Sequence, residues 1–204
     1  LRGHGDIDMN PGPEPWPADE LARRCAAADA LIVFMTERVD ARLVAAAPRL
    51  SVVAGALKGF DNIDVAALNA RGIPLTIVPD LLTAPTAELA LGLMIAVARN
   101  VLPGDRGIRA GGFAGWRPTL YGASIEGATV GVVGAGAVGR AILKLLSGFS
   151  CRRLYCDARP LDPAGDAALG AERTDLATLR AEADFVVLAT PLTAETLGMV
   201  DDAF

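Results

Sequence analysis

A chain of 204 residues with 52% hydrophobic and 21% charged positions can bury one large core or two small ones, which excludes disorder over most of its length. Its net charge of −5 excludes a surface built to track nucleic acid or an anionic membrane, because phosphates and acidic lipids repel an acidic partner. Three cysteines, Cys25, Cys151 and Cys156, are odd in number and match no zinc spacing, so they read as reduced thiols of a cytoplasmic protein with no metal site.

In chain order, residues 1–17 set Pro11, Pro13, Pro15 and Pro17 among other residues and read as an irregular, proline-rich end, an extended loop or a loose end. Residues 19–28 are helix-like, residues 30–35 (ALIVFM) are an apolar run of strand length, Asp40 caps a short helix through residue 46, and residues 50–54 (LSVVA) are a second strand. A helix over 64–70 and a strand over 75–78 follow. Strands apolar on both faces and separated by helices predict a parallel sheet covered on both sides. A long helix begins at Pro85, runs through residue 98 and is interrupted by Pro103. Its apolar run, 89–98, falls well short of the ~20 residues of a membrane span and fits a buried core helix. A second helical stretch reaches Gly111-Gly112, and residues 113–127 are loop-like. The alternation then restarts with a strand over 128–133 (ATVGVV), a helix over 137–146, a strand over 153–156, a helix over 175–181 capped by Thr174 or Asp175, and a strand over 184–189 (DFVVLA).

The fold class is therefore α/β, with two doubly wound parallel-sheet domains. The reading places an irregular end at 1–17, a substrate domain at 18–100 and a dinucleotide-binding domain at 101–204, with the boundary in the neighbourhood of 100–127.

The densest chemical signal is Gly134-Ala135-Gly136-Ala137-Val138-Gly139, which follows a strand at once and opens a helix of good formers. Gly134 permits the tight turn, Gly136 lets a pyrophosphate approach the backbone, and Gly139 lets the helix pack closely on the sheet. The helix start offers N–H groups and partial positive charge to phosphates, with Ala137 and Val138 at that position. Asp157 ends the next strand, where its carboxylate can accept the ribose hydroxyls and repel a 2′-phosphate; that favours NAD over NADP. Arg159, with Arg152 and Arg153 nearby, pulls the other way, since a guanidinium there could meet a 2′-phosphate. Pro191, after the strand at 184–189, sits where such sheets bind ligands, or simply ends the strand.

On the substrate side, residues 55–64 (GALKGFDNID) follow a strand and carry Lys58 between small and apolar neighbours. A lysine is usually a solvated surface group, but one placed past a parallel strand's carboxyl end can present a cation to an anionic ligand. Asp61, Asn62 and Asp64 read as turn and cap residues.

The segments 55–64, 78–89 (VPDLLTAPTAEL), 115–122 (GWRPTLYG) and 134–139 together resemble the D-isomer-specific 2-hydroxyacid dehydrogenase family, over roughly residues 18–204. Within it the pattern is most similar to the phosphite (phosphonate) dehydrogenases, because of Lys58 before Gly-Phe-Asp-Asn. The resemblance implies a flavodoxin-like substrate domain, a Rossmann domain of which the first half is present, a homodimer when complete, and oxidation of phosphite to phosphate with NAD. It implies that Lys58 is the catalytic and substrate-binding cation, helped by the backbone of Gly59, with Met35, Trp116 and Tyr121 lining the substrate pocket. Leu82 and Thr86 would lie near the nicotinamide. The family's catalytic arginine, acid and histidine are expected beyond residue 204, and a strand and helix before residue 18, so the sequence reads as a fragment that would not turn over alone. His4, the one histidine, reads as a loose surface residue. Alternatives are an NAD(P)-dependent 2-hydroxyacid dehydrogenase of the 2-ketoacid or glyoxylate reductase type, a non-catalytic NAD-sensing corepressor-like protein, and a truncated gene.

Overall fold

The computed structural model describes Gly3, residues 5–159, Leu161, residues 163–201 and Phe204; His4 lies outside the described residues. The chain divides into two compact units, Leu1–Leu81 and Leu82–Phe204.

In the first unit the order is α1 (Ala18–Cys25), β1 (Ala30–Val33), α2 (Ala41–Ala46), β2 (Val52–Gly55), α3 (Val65–Ala70) and β3 (Leu75–Thr76). The strands are parallel in the order β1-β2-β3. Two aspartates start helices as the sequence predicts. Asp40 accepts the Leu43 N–H and Asp64 the Ala67 N–H, both at 2.9 Å, each cap contributing about 1 kcal/mol. Leu21 and Cys25 of α1, Leu43 and Val44 of α2 and Leu68 of α3 share one buried cluster with Val33 and Val53. Ile32 alternates with Val33 along β1 and is exposed while Val33 is buried, so that stretch of β1 is covered on one face only. The proline-rich head is anchored rather than loose: the Arg24 guanidinium stacks 4.2 Å from the Trp16 ring centroid and pairs with Asp8 at 2.6 Å.

The second unit holds α4 (Thr83–Ala98), α5 (Val101–Arg109), β4 (Thr129–Val133), α6 (Ala137–Leu145), β5 (Arg152–Cys156), α7 (Pro163–Leu169), β6 (Glu172–Arg173), α8 (Leu176–Glu182) and β7 (Phe185–Leu188). Its strands are parallel in the order β6-β5-β4-β7. The chain steps outward from β4 through β5 to β6, then returns to the other side of β4. That reversal opens a crevice at the carboxyl ends of β4 and β7, the place where doubly wound sheets bind ligands. Val130 and Val132 of β4 are fully buried.

Three sequence expectations need correction here. The long helix goes with the second unit, not the first, because Ala87 and Met94 share a core cluster with Val130, Ile142 and Leu143. The same helix is not a buried core helix: Ala87, Met94 and Ala98 are covered, but Leu89, Leu93 and Val97 on another stripe are exposed, Val97 at 75%. Finally, α4 starts before Pro85 and ends before Pro103. Pro85 and Pro103 each sit third in their helix, where a missing N–H costs no intrahelical bond, and the break is made by Asn100 in the left-handed conformation (φ 53°). Among the described residues no single helix is long and apolar enough to cross a membrane; α4 and α5 reach that only as a pair bent by 65°.

Candidate active site

The glycine-rich loop joins β4 to α6 at the crevice. Gly134 has φ 99°, a conformation that L side chains avoid, and a Cβ there would lie 2.7 Å from the Ala189 carbonyl oxygen. At Gly139 a Cβ would lie 1.8 Å from the Gly134 carbonyl oxygen, so the first turn of α6 can lie against the loop only without a side chain. Gly136 differs: a Cβ there would meet nothing within 4 Å. It is the N-cap of α6, it is exposed, and it has no side chain to close over the helix end. The first-turn N–H groups of Ala137, Val138 and Gly139 therefore have no capping side chain, in a helix of 9 residues. Uncapped N–H groups at a helix start are the kind of donors that phosphates accept from.

Asp157 follows β5 directly and is half-buried. Its Oδ2 accepts the Ala135 N–H at 2.6 Å and its Oδ1 accepts the Arg159 N–H at 2.8 Å. The carboxylate thus holds the glycine loop, and its remaining lone pairs can accept from hydroxyls. The Arg159 side chain is exposed beside it. Burial pushes the neighbouring Cys156 thiol above its ordinary range; Arg173 opposes this and the Asp157 and Asp175 carboxylates add to it. Cys156 therefore stays protonated at neutral pH. Beyond β7, Pro191 is exposed and lines, with Leu188, Thr190, Leu192, Met199 and Val200, a cavity of about 310 Å³. Taken together, the residues present fit a dinucleotide.

The first unit carries Met35, Lys58 and Gly59. Lys58 is half-buried on the loop after β2, and Gly59 is exposed. That loop is held on one side by the Ala56 N–H on Val33 O (2.9 Å) and on the other by the Val78 N–H on Leu57 O (2.9 Å), with Leu57 itself buried. Met35 lies on the loop after β1 and is 75% exposed. Asn62, which sequence reasoning took for a turn residue, joins these two loops through its carboxamide.

The second unit carries the other site residues. Leu82 precedes α4 as its N-cap and Thr86 lies in its first turn, its N–H donating to Leu82 O at 3.0 Å; both are exposed. Trp116 and Tyr121 are 80% and 78% exposed, so neither is a core residue. Their segment is nevertheless fixed at one end. Asn100 Nδ2 donates to Tyr121 O at 3.0 Å, the Ala123 N–H donates to Ala98 O at 2.8 Å, and Gly122 packs where a Cβ would be 2.1 Å from that same oxygen. No sequence pattern marks Asn100; its left-handed backbone is what lets it end α4 and clamp the aromatic segment.

With this geometry in place, comparisons with known proteins are specific. The family model for the D-isomer specific 2-hydroxyacid dehydrogenase NAD binding domain matches residues 91–204. A glyoxylate reductase of Thermococcus kodakarensis is 39% identical over 208 residues, an alignment covering 99% of this chain and 62% of that protein. A glyoxylate reductase of Pyrococcus furiosus is 40% identical, with 91% of this chain and 56% of the relative covered. The crystal structure of the TT0316 protein from Thermus thermophilus superposes with a TM-score of 0.83 at 38% identity, over 90% of this chain and 57% of that one. The chain thus spans about three-fifths of the length of the curated relatives it matches.

Proposed function

The chain belongs to the D-isomer specific 2-hydroxyacid dehydrogenase family, with that family's NAD-binding domain in its second unit, and from that membership we propose that the complete protein is a cytoplasmic dehydrogenase that oxidises phosphite to phosphate. The observation that carries the choice of substrate is Lys58, a half-buried cation on the loop past the carboxyl end of β2. In a partly desolvated position an ammonium attracts a doubly charged oxyanion far more than it would in open water.

The residues divide the work. The Ala137, Val138 and Gly139 N–H groups hold the pyrophosphate, Asp157 accepts the ribose hydroxyls and disfavours a 2′-phosphate, and Leu82, Thr86 and Pro191 bound the remaining cofactor. Lys58 and the Gly59 backbone bind the anion, with Met35 on the neighbouring loop of the same unit. A bound NAD would supply the hydride acceptor, and phosphite, water and NAD would then balance as phosphate, NADH and a proton. The all-round apolar α4, with Leu89, Leu93 and Val97 uncovered, supports a homodimer as the complete assembly.

A second reading is the reduction of glyoxylate or another small 2-ketoacid, favoured by the names of the relatives. Lys58 would then meet a carboxylate. The deciding experiment assays the complete gene product for NADH formation with phosphite and NADH consumption with glyoxylate. Phosphite-dependent NADH formation is expected, falling about 10- to 100-fold in kcat/KM in Lys58→Met, the range for losing a charged hydrogen bond. Glyoxylate reduction with no response to phosphite would hand the site to the second reading.

A further inference from the structure

Two loops of the first unit are tied to each other at both ends. The loop leaving β1 (34–38) and the loop leaving β2 (56–61) are tied at their roots, where the Ala56 N–H donates to Val33 O at 2.9 Å. They rejoin at the parallel bridge Val39–Ile63, with the Val39 N–H on Asn62 O (3.0 Å) and the Asp64 N–H on Val39 O (2.8 Å). Met35 lies on the first of these loops and Lys58 on the second. The Asn62 side chain, just after the second loop, reaches the first, where its Nδ2 donates to Phe34 O at 3.0 Å and to Glu37 O at 2.7 Å. Both carboxamide hydrogens are used, and both go to carbonyls that flank Met35. The same turn is closed from within by Glu37, whose carboxylate accepts the Phe34 N–H at 2.8 Å and the Thr36 hydroxyl at 2.8 Å.

This is more hydrogen bonding than a simple turn needs. An asparagine that only shaped its own DNID turn would bond its neighbours in sequence, as Asp64 does with Ala67. Asn62 instead spends its donors on a loop more than 20 residues away. We propose that Asn62 is a positioning residue of the substrate site: its carboxamide sets the spacing between the Met35 loop and the Lys58 loop, and so limits the size of the anion admitted between them. The proposal rests on Lys58 being the anion-binding group. It adds a specificity device to that reading: a donor pair that holds one wall of the site at a fixed distance from the cation.

Asn62→Asp tests it in the complete enzyme, because a carboxylate of the same shape loses the two donors and faces two carbonyl oxygens. The probes are phosphite, glyoxylate and the bulkier 2-ketoisocaproate, with KM and kcat measured separately. The expected result is a rise of about tenfold in KM for the small anion, the size of one or two lost hydrogen bonds. Over the same change kcat and the KM for NAD stay within about threefold, and selectivity moves toward the bulkier acid. A lower melting temperature with unchanged anion KM and selectivity would overturn the proposal. If Asn62→Asp does not fold, Glu37→Ala opens the same turn from inside and carries the test, with the same outcomes read the same way. Lys58→Met separates the two ideas. An anion KM that ignores Lys58→Met overturns the assignment of the cation and the proposal with it; an anion KM that rises in Lys58→Met but not in Asn62→Asp overturns the spacing alone.

Discussion

Two loops of this molecule occupy equivalent places and are built on different principles. One leaves β4 and carries Gly134, Gly136 and Gly139; the other leaves β2 and carries Lys58 and Gly59. Both follow the carboxyl end of a strand with parallel neighbours on either side. In the first, shape is enforced by sterics: the left-handed Gly134 and the close approach of Gly139 leave no room for a methyl group. In the second, shape is held by hydrogen bonds, from the Ala56 N–H to Val33 O, the Val78 N–H to Leu57 O and the Asn62 carboxamide to the neighbouring loop, and a Cβ at Gly59 would make only an ordinary 3.5 Å contact with Asp61 Oδ1. A loop that offers backbone N–H groups to a ligand must be fixed at the level of the backbone. A loop that offers a side chain can be held by other side chains, and can change its ligand by exchanging them.

The largest effect expected from this contrast is at Gly139. Alanine there would put a Cβ 1.8 Å from the Gly134 carbonyl oxygen, with backbone rather than a flexible side chain in the way. Overpacking of this kind costs about 3 kcal/mol or more, and the cost falls on the unit that holds the cofactor. Denaturant titration of Gly139→Ala should show that loss together with lost NAD binding. A variant whose midpoint matched the parent would mean that the loop relaxes freely, and the distinction between the two loops would collapse.

Asp157 comes next, and it sharpens the comparison because it acts on the glycine loop from outside. Asp157→Ala leaves the buried Ala135 N–H without its 2.6 Å acceptor, a penalty of about 1–3 kcal/mol. The glycine loop loses its strut along with the ribose its acceptor, so affinity for NAD and NADP should both fall in fluorescence titrations. A carboxylate that served only to repel a 2′-phosphate would give a different result, with NADP binding improving as stability stayed level.

These effects also explain how much of the molecule could be read in advance. The strands β2, β4 and β7, the caps Asp40, Asp64 and Asp175, and the glycine loop were legible because each rests on local chemistry: apolar runs, Asx caps and the turn requirements of glycine. The helix α7 and the strand β6 were not. Residues 163–169 carry little periodicity, and β6 is two charged, exposed residues held by pairing with β5 and by the Arg152–Glu172 ion pair at 2.9 Å. Among the candidate functional residues, Lys58 and Asp157 stood out by their place after a strand. Asn62 and Asn100 did not, because their partners lie more than 20 and about 20 residues away, and only the folded chain brings those carbonyls within reach. The apolar α4 misled for a related reason: composition records that a helix is apolar all round, but not which stripe the same chain covers.

The smallest expected effect is at Gly59, and it probes the other half of the comparison. Its backbone lies outside the left-handed region, and the modest room around it accepts a methyl group at van der Waals distance. Gly59→Ala also narrows the unfolded chain's conformational freedom, which stabilises by roughly 0.4–1 kcal/mol where the native backbone suits alanine. The net change in stability should therefore lie between zero and slightly favourable. The Gly59 N–H survives the substitution, so a backbone contribution to anion binding survives with it, and the anion KM should move by less than about threefold. A loss comparable to that of Gly139→Ala would show that the substrate loop is as sterically fixed as the cofactor loop, with Asn62 decorating a shape that the backbone already sets.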